Sequence, residues 1–285
     1  MSRITYVNGD YLPEAEAKVS IFDRGFLMAD GVYEVTTVVG GKLIDFAGHM
    51  ARLRRSLGEL RMDAPTSEDD LLAIHRELVR RNALEEGLIY LQVTRGAADR
   101  DFAFPPAGTK PSLVLFTQAG PVLERESVRR GIKVATVPDL RWARRDIKTV
   151  QLLAPSLAKM EAKAKGADDA WMVGEDGFVT EGSSNNAYIV AGGKVVTRHL
   201  SNAILHGITR ASVVRLAAET GMNVEERPFT VAEAKAADEA FITSASAFVT
   251  PVVSIDGVAL GDGSPGPIAK RMREVYVAES LARAI

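Results

Sequence analysis

Apolar and polar residues alternate in two short stretches near the start of the chain. The stretch "ITYVNGDYL" turns at Asn8-Gly9, and "YEVTTVVGGKLID" turns at Gly40-Gly41. Pairs of this kind accept the positive φ angles of tight two-residue hairpin loops. The pattern therefore predicts two β-hairpins.

Helical spacing follows the second hairpin. Apolar residues at every third or fourth position predict a helix over about 48–62: Met50, Leu53, Leu57 and Leu60. A second helix, over about 68–84, is predicted to begin at Ser67, because Asp70 three residues later completes a capping-box-like start. The apolar runs "LIYLQVTR" and "SLVLFTQ" then predict two strands.

The stretch "AGPVLERES", residues 119–127, joins a Gly-Pro step to polar residues and predicts a linker. The same criteria predict the elements beyond it: a strand "IKVATV", a helix over about 153–165, hairpins at Asp176-Gly177 and Gly192-Gly193, helices over about 208–220 and from Thr230, strands "EAFIT" and "PVVSI", and a helix from about 267. Because runs of strands prevail over strict strand–helix alternation, the pattern favours a mixed α+β fold with domains over 1–118 and 128–285.

Composition narrows the class of protein. The 285 residues carry a net charge of −2, which gives no electrostatic case for binding nucleic acid or a membrane surface. The absence of cysteine excludes disulfides, thiolate metal sites and cysteine nucleophiles. The four histidines lack close ligand spacing, so no metal is expected. No stretch predicts a membrane span or a secretory signal, and the expected location is cytoplasmic.

One lysine has an unusual setting, within "RRDIKTVQLLAP". Lys148 lies between Ile147 and Thr149, in a stretch that resembles a buried strand, and Arg144 and Arg145 are close in sequence. Most lysines are exposed surface charges. Neighbouring cations, however, favour the neutral, nucleophilic form of an amine. Lys148 is therefore either a surface residue or a nucleophile.

Two further stretches combine a turn with groups that bind ligands. Glu181 lies in "GFVTEGSSNNAYIV", which is either an ordinary polar hairpin or a site where a carboxylate keeps a heterocyclic nitrogen protonated. In "LHGITRASVVRL", Gly207, Ile208 and Thr209 begin a helix whose N–H groups suit a phosphate, although a plain helix cap has the same pattern. The sequence is neither a Walker A motif nor a dinucleotide fingerprint, which disfavours nucleotides.

Three other features are weaker candidates. Ser244, in the small-residue loop of "FITSASAFVTPV", offers a hydroxyl or an amide to a phosphate. Tyr33 alternates with the apolar residues of a strand, and Arg95 and Arg100 flank a loop suited to paired hydrogen bonds with a carboxylate. A simple turn and a solubilising surface explain these residues equally well.

The lysine, the acid and the helix start occur in this order along the chain. With "DRGFLMADGVYEV", "GLIYLQVTRG", "DIKTVQLLAPSLAKMEAKAKG", "VTEGSSNNAY", "ILHGITR" and "FITSASAFVTPV", they make the sequence resemble the class IV (fold type IV) pyridoxal-phosphate aminotransferases from end to end. Within that family it is most similar to bacterial D-amino-acid transaminases. The resemblance implies a small N-terminal α/β domain and a larger C-terminal pseudo-barrel domain that binds pyridoxal 5′-phosphate.

The resemblance also implies roles for individual residues. Lys148 would form the internal aldimine and then carry the substrate's Cα proton, while Glu181 would keep the pyridine nitrogen protonated. The remaining cofactor-binding residues would be Arg52, Leu205, Ile208, Thr209, Ser244 and Ala245, and the substrate-binding residues would be Tyr33, Arg100 and Phe102. The loop around Arg100 would reach the neighbouring active site of a homodimer. The implied reaction is ping-pong transamination, through aldimine and ketimine, from a D-amino acid such as D-alanine to 2-oxoglutarate or pyruvate.

One position departs from the family pattern. Two residues after the loop arginine the family has a histidine, and this chain has Phe102. The missing donor would cost about 1–3 kcal/mol of substrate binding unless Arg100 suffices, or Arg95 or His206 compensates. A larger apolar wall would instead favour aromatic or aliphatic substrates.

Two enzymes of the same fold remain alternatives, namely branched-chain L-amino-acid aminotransferase and aminodeoxychorismate lyase. "TEGSSNN" stands where a branched-chain enzyme is expected to have an "EVGTMN"-type segment, and Arg100 after "VTRG" favours D-amino acids. A cofactor-independent Schiff-base enzyme would need Lys148 but neither Glu181 nor the helix start, so their joint presence disfavours it. An intact Lys148 and Glu181 likewise disfavour a non-catalytic binding protein.

Overall fold

Two sheets organise the chain, each in its own unit of the computed structural model, which describes residues 2–285. The first unit runs to Val122 and also contains Ile147–Gln151 and Arg283–Ile285, and the second contains Leu123–Asp146 and Leu152–Ala282. Short segments from the second half of the sequence thus lie in the first unit. The predicted domains 1–118 and 128–285 are consecutive stretches and do not assign these segments to the first unit. Those domain boundaries stay a prediction.

The first unit is a six-stranded antiparallel sheet with three helices. Its strands are β1 (Ile4–Val7), β2 (Asp10–Pro13), β3 (Gly31–Val39), β4 (Lys42–Leu43), β5 (Glu86–Thr94) and β6 (Ser112–Ala119), in the spatial order β2-β1-β6-β5-β3-β4. Its helices are α1 (Arg24–Met28), α2 (Phe46–Glu59) and α3 (Glu68–Arg81). Asn8 at φ 50° and Gly9 at φ 115° form the first turn, so the predicted hairpin is confirmed.

The two faces of this sheet differ in burial because strand side chains alternate. On β5, Ile89, Leu91 and Val93 are completely buried, and they join apolar residues of α2 and α3 in one core cluster. Their neighbours Tyr90 and Gln92 are only partly buried. The helices therefore cover one face, and an aromatic-rich face lies on the other side.

The second unit contains a nine-stranded mixed sheet. Its strands are β7 (Ile132–Pro138), β8 (Asp169–Val173), β9 (Val179–Gly182), β10 (Asn186–Ala191), β11 (Lys194–Thr197), β12 (Val224–Glu226), β13 (Glu239–Ser244), β14 (Phe248–Ile255) and β15 (Val258–Ala259), in the order β12-β11-β10-β13-β14-β7-β8-β9 with β15 beside β14. Its helices are α4 (Glu126–Arg130), α5 (Leu153–Ala164), α6 (Ile208–Glu219), α7 (Val231–Lys235) and α8 (Pro267–Ala282). Among residues 2–285, none of the helices has the length and apolar character to cross a membrane.

The sheet of the second unit curls on itself. Strand β9 is at one edge of the strand order, whereas β10 lies inside it. Only residues 183–185 separate the two strands in sequence, and the N–H of Gly182 donates to the carbonyl of Asn185 at 2.8 Å. The edge strand must therefore approach β10, which gives the sheet a barrel-like form.

The mixed α+β class predicted from the sequence is confirmed. The predicted caps are present as well: Ser67 with Asp70 begins α3, and Thr230 with Glu233 begins α7, each as a complete capping box. The short elements α1, α4, β12 and β15 were not predicted. Elements of two to five residues are too short to develop a recognisable period, and those that were predicted are marked by a turn pair or a capping box; β15 has such a pair, Asp256-Gly257, which was missed.

Shortening Leu91 to alanine tests the assignment of the buried face. The side chain is completely buried, so Leu91→Ala is expected to lower the free energy of unfolding by about 2–5 kcal/mol. Leu88→Ala, on the partly buried face of the same strand, is the matched control and is expected to cost about 1 kcal/mol. Chemical denaturation measures both, and equal losses would contradict the assignment.

Candidate active site

Lys148 lies on a segment that pairs with the first half of β3. The N–H of Tyr33 donates to the carbonyl of Lys148 at 3.0 Å, and the N–H of Val150 donates to the carbonyl of Gly31 at 3.1 Å. Thr149 forms an antiparallel bridge with Val32. Strand β4 pairs only with Val38 and Val39, so this end of β3 has an edge on which the segment can lie.

The side chain of Lys148 lies against an aromatic row. Its Nζ is 4.0 Å from the centroid of the Tyr33 ring. Tyr33 stacks on Tyr90 at 5.5 Å, and Tyr90 stacks on Phe116 at 4.9 Å. Lys148 is partly buried. The amine of this partly buried side chain thus lies over the aromatic face of the sheet.

Arg52 belongs to a buried ion-pair cluster in the first unit. Its Nε and Nη2 donate to the two oxygens of Glu34 at 2.8 and 2.7 Å, and His49 Nδ1 lies 2.7 Å from Glu34 Oε2. Burial acts against the charged form of Glu34, but Arg52 and His49 outweigh it and lower the pKa to about 2. The guanidinium is therefore fixed in position by a carboxylate that stays ionised.

Glu181 is the buried acid of the second unit. Its Oε1 accepts from Arg141 Nη1 at 2.5 Å, its Oε2 accepts from Asn186 Nδ2 at 2.9 Å, and the N–H of Leu205 lies 3.1 Å from both oxygens. Burial raises the pKa of the carboxyl, while Arg141 and the Leu205 N–H act in the opposite direction. A carboxylate in this position is held entirely by N–H donors.

Arg141 and Asp139 were missed by the sequence analysis. Arg141 donates through Nε and Nη2 to the two oxygens of Asp139, at 2.9 and 2.7 Å, and reaches Glu181 with Nη1. Thr180 also donates to Asp139, at 2.7 Å. Burial disfavours the charged form of Arg141, but Glu181 and Asp139 more than compensate and raise its pKa. The available signal was the Asp-x-Arg spacing directly after the apolar strand "IKVATV".

The start of α6 is joined to this acid. Asn186 Nδ2 donates to the carbonyl of Leu205 at 3.0 Å as well as to Glu181. Gly207 is the N-cap and provides no side-chain cap, and a Cβ there would lie 2.1 Å from Asn186 Oδ1. Only glycine therefore fits between the asparagine and the first helical turn. Thr209 in that turn is buried.

Ser244 ends β13 and begins the turn to β14, where its Oγ accepts the N–H of Ala247 at 3.2 Å. Ala245 and Ser246 complete the turn with partly buried side chains. The serine hydroxyl thus also has a local structural role.

The predicted substrate loop lies in the first unit. Phe102 is 83% exposed, and the Arg100 guanidinium is 5.4 Å from its ring centroid. Arg95, one of the two residues expected to compensate for the missing histidine, is instead buried and donates from Nε and Nη2 to Asp30.

The predicted site residues divide between the units. Tyr33, Arg52, Arg100, Phe102 and Lys148 lie in the first unit, and Glu181, Leu205, Ile208, Thr209, Ser244 and Ala245 lie in the second. No group of metal-ligating side chains suited to an ion occurs within residues 2–285.

A family model described as amino-transferase class IV matches residues 31–255. The chain belongs to this family. Among class IV aminotransferase relatives, the D-alanine aminotransferase of Staphylococcus aureus (strain N315) is 39% identical over 273 residues, which cover 95% of each chain. The D-alanine aminotransferase of Bacillus licheniformis is 40% identical over 266 residues, 93% of each chain.

Solved structures agree with the family. A T.th. branched-chain amino acid aminotransferase complexed with N-(5′-phosphopyridoxyl)-L-glutamate superposes with a TM-score of 0.90 and 30% identity. The similarity covers 99% of this chain and 95% of that one. The class IV aminotransferase fold therefore extends over the whole chain.

Glu34→Gln tests the buried cluster through its pH dependence. A carboxyl whose pKa falls from 4.5 to about 2 on folding adds stability above its unfolded pKa, and that stability is lost as the pH falls through the folded value. We expect the variant to be less stable than wild type at neutral pH. The difference should shrink by about 3 kcal/mol as the pH falls from about 4.5 to about 2. Urea denaturation across that range measures it, and a constant difference would contradict the assignment.

Proposed function

We propose that this protein is a pyridoxal-phosphate-dependent transaminase that moves the amino group of a D-amino acid, such as D-alanine, to 2-oxoglutarate or pyruvate. The observation that carries the proposal is the buried Glu181 carboxylate, held by N–H donors directly beside the start of α6. The acid suits the ring nitrogen of pyridoxal phosphate, and the helix N-terminus suits its phosphate group. The class IV aminotransferase family and the D-alanine aminotransferase relatives support the same interpretation.

The donor set of Glu181 fits a protonated pyridine ring. The two oxygens of a carboxylate offer about four lone-pair positions. Arg141, Asn186 and the Leu205 N–H are three donors to them, and the Leu205 N–H is shared between both oxygens, so a ring N–H would be accepted in place of part of this shared contact. The negative charge of Glu181 favours the protonated ring over the neutral one.

The start of α6 fits the phosphate. Backbone N–H groups at a helix N-terminus, together with the helix dipole, attract an anion. The cap residue Gly207 offers no side chain that competes for those N–H groups. We assign phosphate binding to the amides of Ile208 and Thr209, with Arg52, Ser244 and Ala245 as further donors, and we assign to Leu205 the contact with the ring face.

Lys148 is the residue assigned to attachment and proton transfer. Pyridoxal phosphate, when bound, supplies an aldehyde that condenses with amines and a ring that takes up the electron pair of the broken Cα–H bond. The Nζ of Lys148 would hold the cofactor at rest and would then take the Cα proton of the substrate and return it. The Tyr33 ring beneath the amine limits the directions in which Nζ can point.

Tyr33, Arg100 and Phe102 are assigned to the substrate. A guanidinium binds a carboxylate through two parallel hydrogen bonds, and Arg100 is the exposed arginine of the predicted loop. In this proposal the protein is a cytoplasmic homodimer in which that loop reaches the neighbouring active site. An exposed apolar stripe supports self-association, because Leu153, Leu157 and Met160 share one face of α5 and are 60–74% exposed.

The branched-chain L-amino-acid aminotransferase remains the second candidate. It is favoured by the 0.90 TM-score to a solved enzyme of that name. The hand of the substrate depends on where its carboxylate is bound, since this decides whether the Cα–H faces the lysine. Activity with L-leucine but not with D-alanine would therefore select the second candidate.

The function is tested with purified protein and a panel of D- and L-amino acids, each with 2-oxoglutarate and with pyruvate. We expect amino transfer from D-alanine, together with the visible absorbance of a lysine-bound cofactor. Lys148→Ala is expected to lose that absorbance and to lower kcat by at least about 10³-fold, since it removes both the attachment and the base. An exposed lysine, Lys194→Ala, is the control. Full activity in Lys148→Ala would refute the assignment, and product formation without any 2-oxo acid would indicate a lyase.

Phe102→His tests the departure from the family pattern. A restored hydrogen-bond donor worth about 1 kcal/mol lowers KM for D-alanine about fivefold with kcat little changed, because the substrate carboxylate is bound equally in ground and transition states. The relative activity with aromatic and aliphatic donors should fall at the same time. Phe104→His, on the same loop, should not lower KM. Steady-state kinetics measures both, and a substrate profile unaffected by Phe102→His contradicts the hypothesis.

A further inference from the structure

A cluster of two buried arginines and one partly buried aspartate lies in the first unit and has no part in the assignments above. Arg24 Nε and Arg95 Nε both donate to Asp30 Oδ2 at 2.8 Å, and Arg95 Nη2 donates to Asp30 Oδ1 at 3.1 Å. Arg24 and Arg95 are 4% and 8% exposed. Two buried guanidinium groups thus share one partly buried carboxylate.

Asp30 supplies one negative charge for the two guanidinium groups. Main-chain carbonyl oxygens accept further N–H groups of both arginines. Arg95 donates to the carbonyls of Leu60 and Arg61, at 2.9 and 3.0 Å. Arg24 Nη1 donates to the carbonyls of Asp101 and Ala103, at 2.8 and 3.1 Å. A buried cation that loses such acceptors incurs a large desolvation penalty. The carbonyls of Asp101 and Ala103 therefore reduce the desolvation penalty of burying Arg24.

The carbonyls of Asp101 and Ala103, which accept from Arg24, belong to the two residues on either side of Phe102. Because both converge on the same Nη1, the main chain is fixed on each side of this residue. A third contact holds the end of the loop, where the Phe104 ring lies 3.8 Å from the Arg95 guanidinium. Asp101 Oδ1 also accepts the N–H of Ala103 at 3.1 Å, which tightens the turn itself. The exposed side chains of Arg100 and Phe102 thus stand on a main chain anchored from beneath.

We propose that Arg24, Asp30 and Arg95 form an anchor that positions Arg100 and Phe102 for binding the substrate's carboxylate, so that Arg24 is a positioning residue for substrate affinity. The inference rests on the proposed function, because that function assigns the carboxylate to this loop. The anchor acts through the main chain of residues 101–103 and touches neither substrate nor cofactor.

Arg24→Lys is the first test, because lysine keeps the charge but not the planar fork that reaches Asp30 and two carbonyls together. We expect KM for D-alanine to rise about tenfold with kcat changed less than about twofold. This pattern indicates the loss of an interaction that binds the ground state and the transition state equally. Cleavage by trypsin after Arg100, followed by mass spectrometry, is expected to speed up at least about tenfold as the loop opens more often.

Two further variants make the test specific. Arg215→Lys changes a partly exposed arginine that pairs with Glu219 and Glu279, and it should leave both KM and cleavage at Arg100 as in wild type. Phe104→Leu removes the contact of the aromatic ring with the Arg95 guanidinium. Because Phe104 is 57% exposed, this variant should fold normally, and it is expected to raise KM about threefold. It keeps the proposal testable if Arg24→Lys does not fold.

The outcomes separate the two proposals. Wild-type protein without D-amino-acid transaminase activity would refute the proposed function, while the trypsin experiment would still test the anchor. Unchanged cleavage at Arg100 in Arg24→Lys would overturn the anchor. Faster cleavage with an unchanged KM would overturn its role in substrate binding. Faster cleavage with a raised KM and an unchanged kcat is the result expected.

Discussion

The pairing of residues 147–150 with the start of β3 fixes the direction of the Lys148 side chain, on which the proposed function depends. Along a strand, neighbouring side chains point to opposite faces, and a shift by one residue exchanges them. Ile147 is 3% exposed and belongs to the core cluster of the first unit, so Lys148 must point the other way, towards the Tyr33 ring. A one-residue slip would bury the amine among leucines and expose Ile147. An ordinary apolar contact thus determines where the side chain of Lys148 lies.

A second feature recurs in both units, namely a carboxylate that is buried or partly buried and is held by arginine. Glu34 is held by Arg52, Glu181 by Arg141, and Asp30 by Arg24 and Arg95. Such pairs add little net stability, because desolvation of both charges offsets their attraction. Losing one partner is nevertheless costly, since it leaves a buried charge without compensation. The pairs therefore act mainly as geometric restraints, and each lies where the proposed function needs a group held in one orientation.

The sequence predicted those features that depend on a few neighbouring residues. Asn8-Gly9 marks a hairpin because the turn needs positive φ angles there, and Ser67 with Asp70 marks a helix start because the two residues cap each other. Candidate site residues came from the motifs that carry the family resemblance. The pairing of Arg141 with Glu181 was not predicted, because the partners are 40 residues apart and an ion pair leaves no periodic pattern. The same reason hid the Glu34–Arg52 pair and the anchor beneath Phe102, and only the folded chain shows that Lys148 belongs to the first unit.

The arrangement of Arg141 reconciles two demands on Glu181. A carboxylate in a dry site needs a cation nearby, yet a cation that pairs fully with it would cancel the charge on which a protonated ring depends. Arg141 gives Nε and Nη2 to Asp139 and only Nη1 to Glu181. Asp139 also raises the pKa of Glu181, in opposition to Arg141. The guanidinium is thus shared, with Nε and Nη2 on Asp139 and Nη1 on Glu181, and both burial and Asp139 oppose the attraction by which Arg141 favours the ionised form of Glu181. In the proposed function, Asp139 is therefore a positioning residue for Arg141, because it accepts from Nε and Nη2 and leaves Nη1 directed at Glu181.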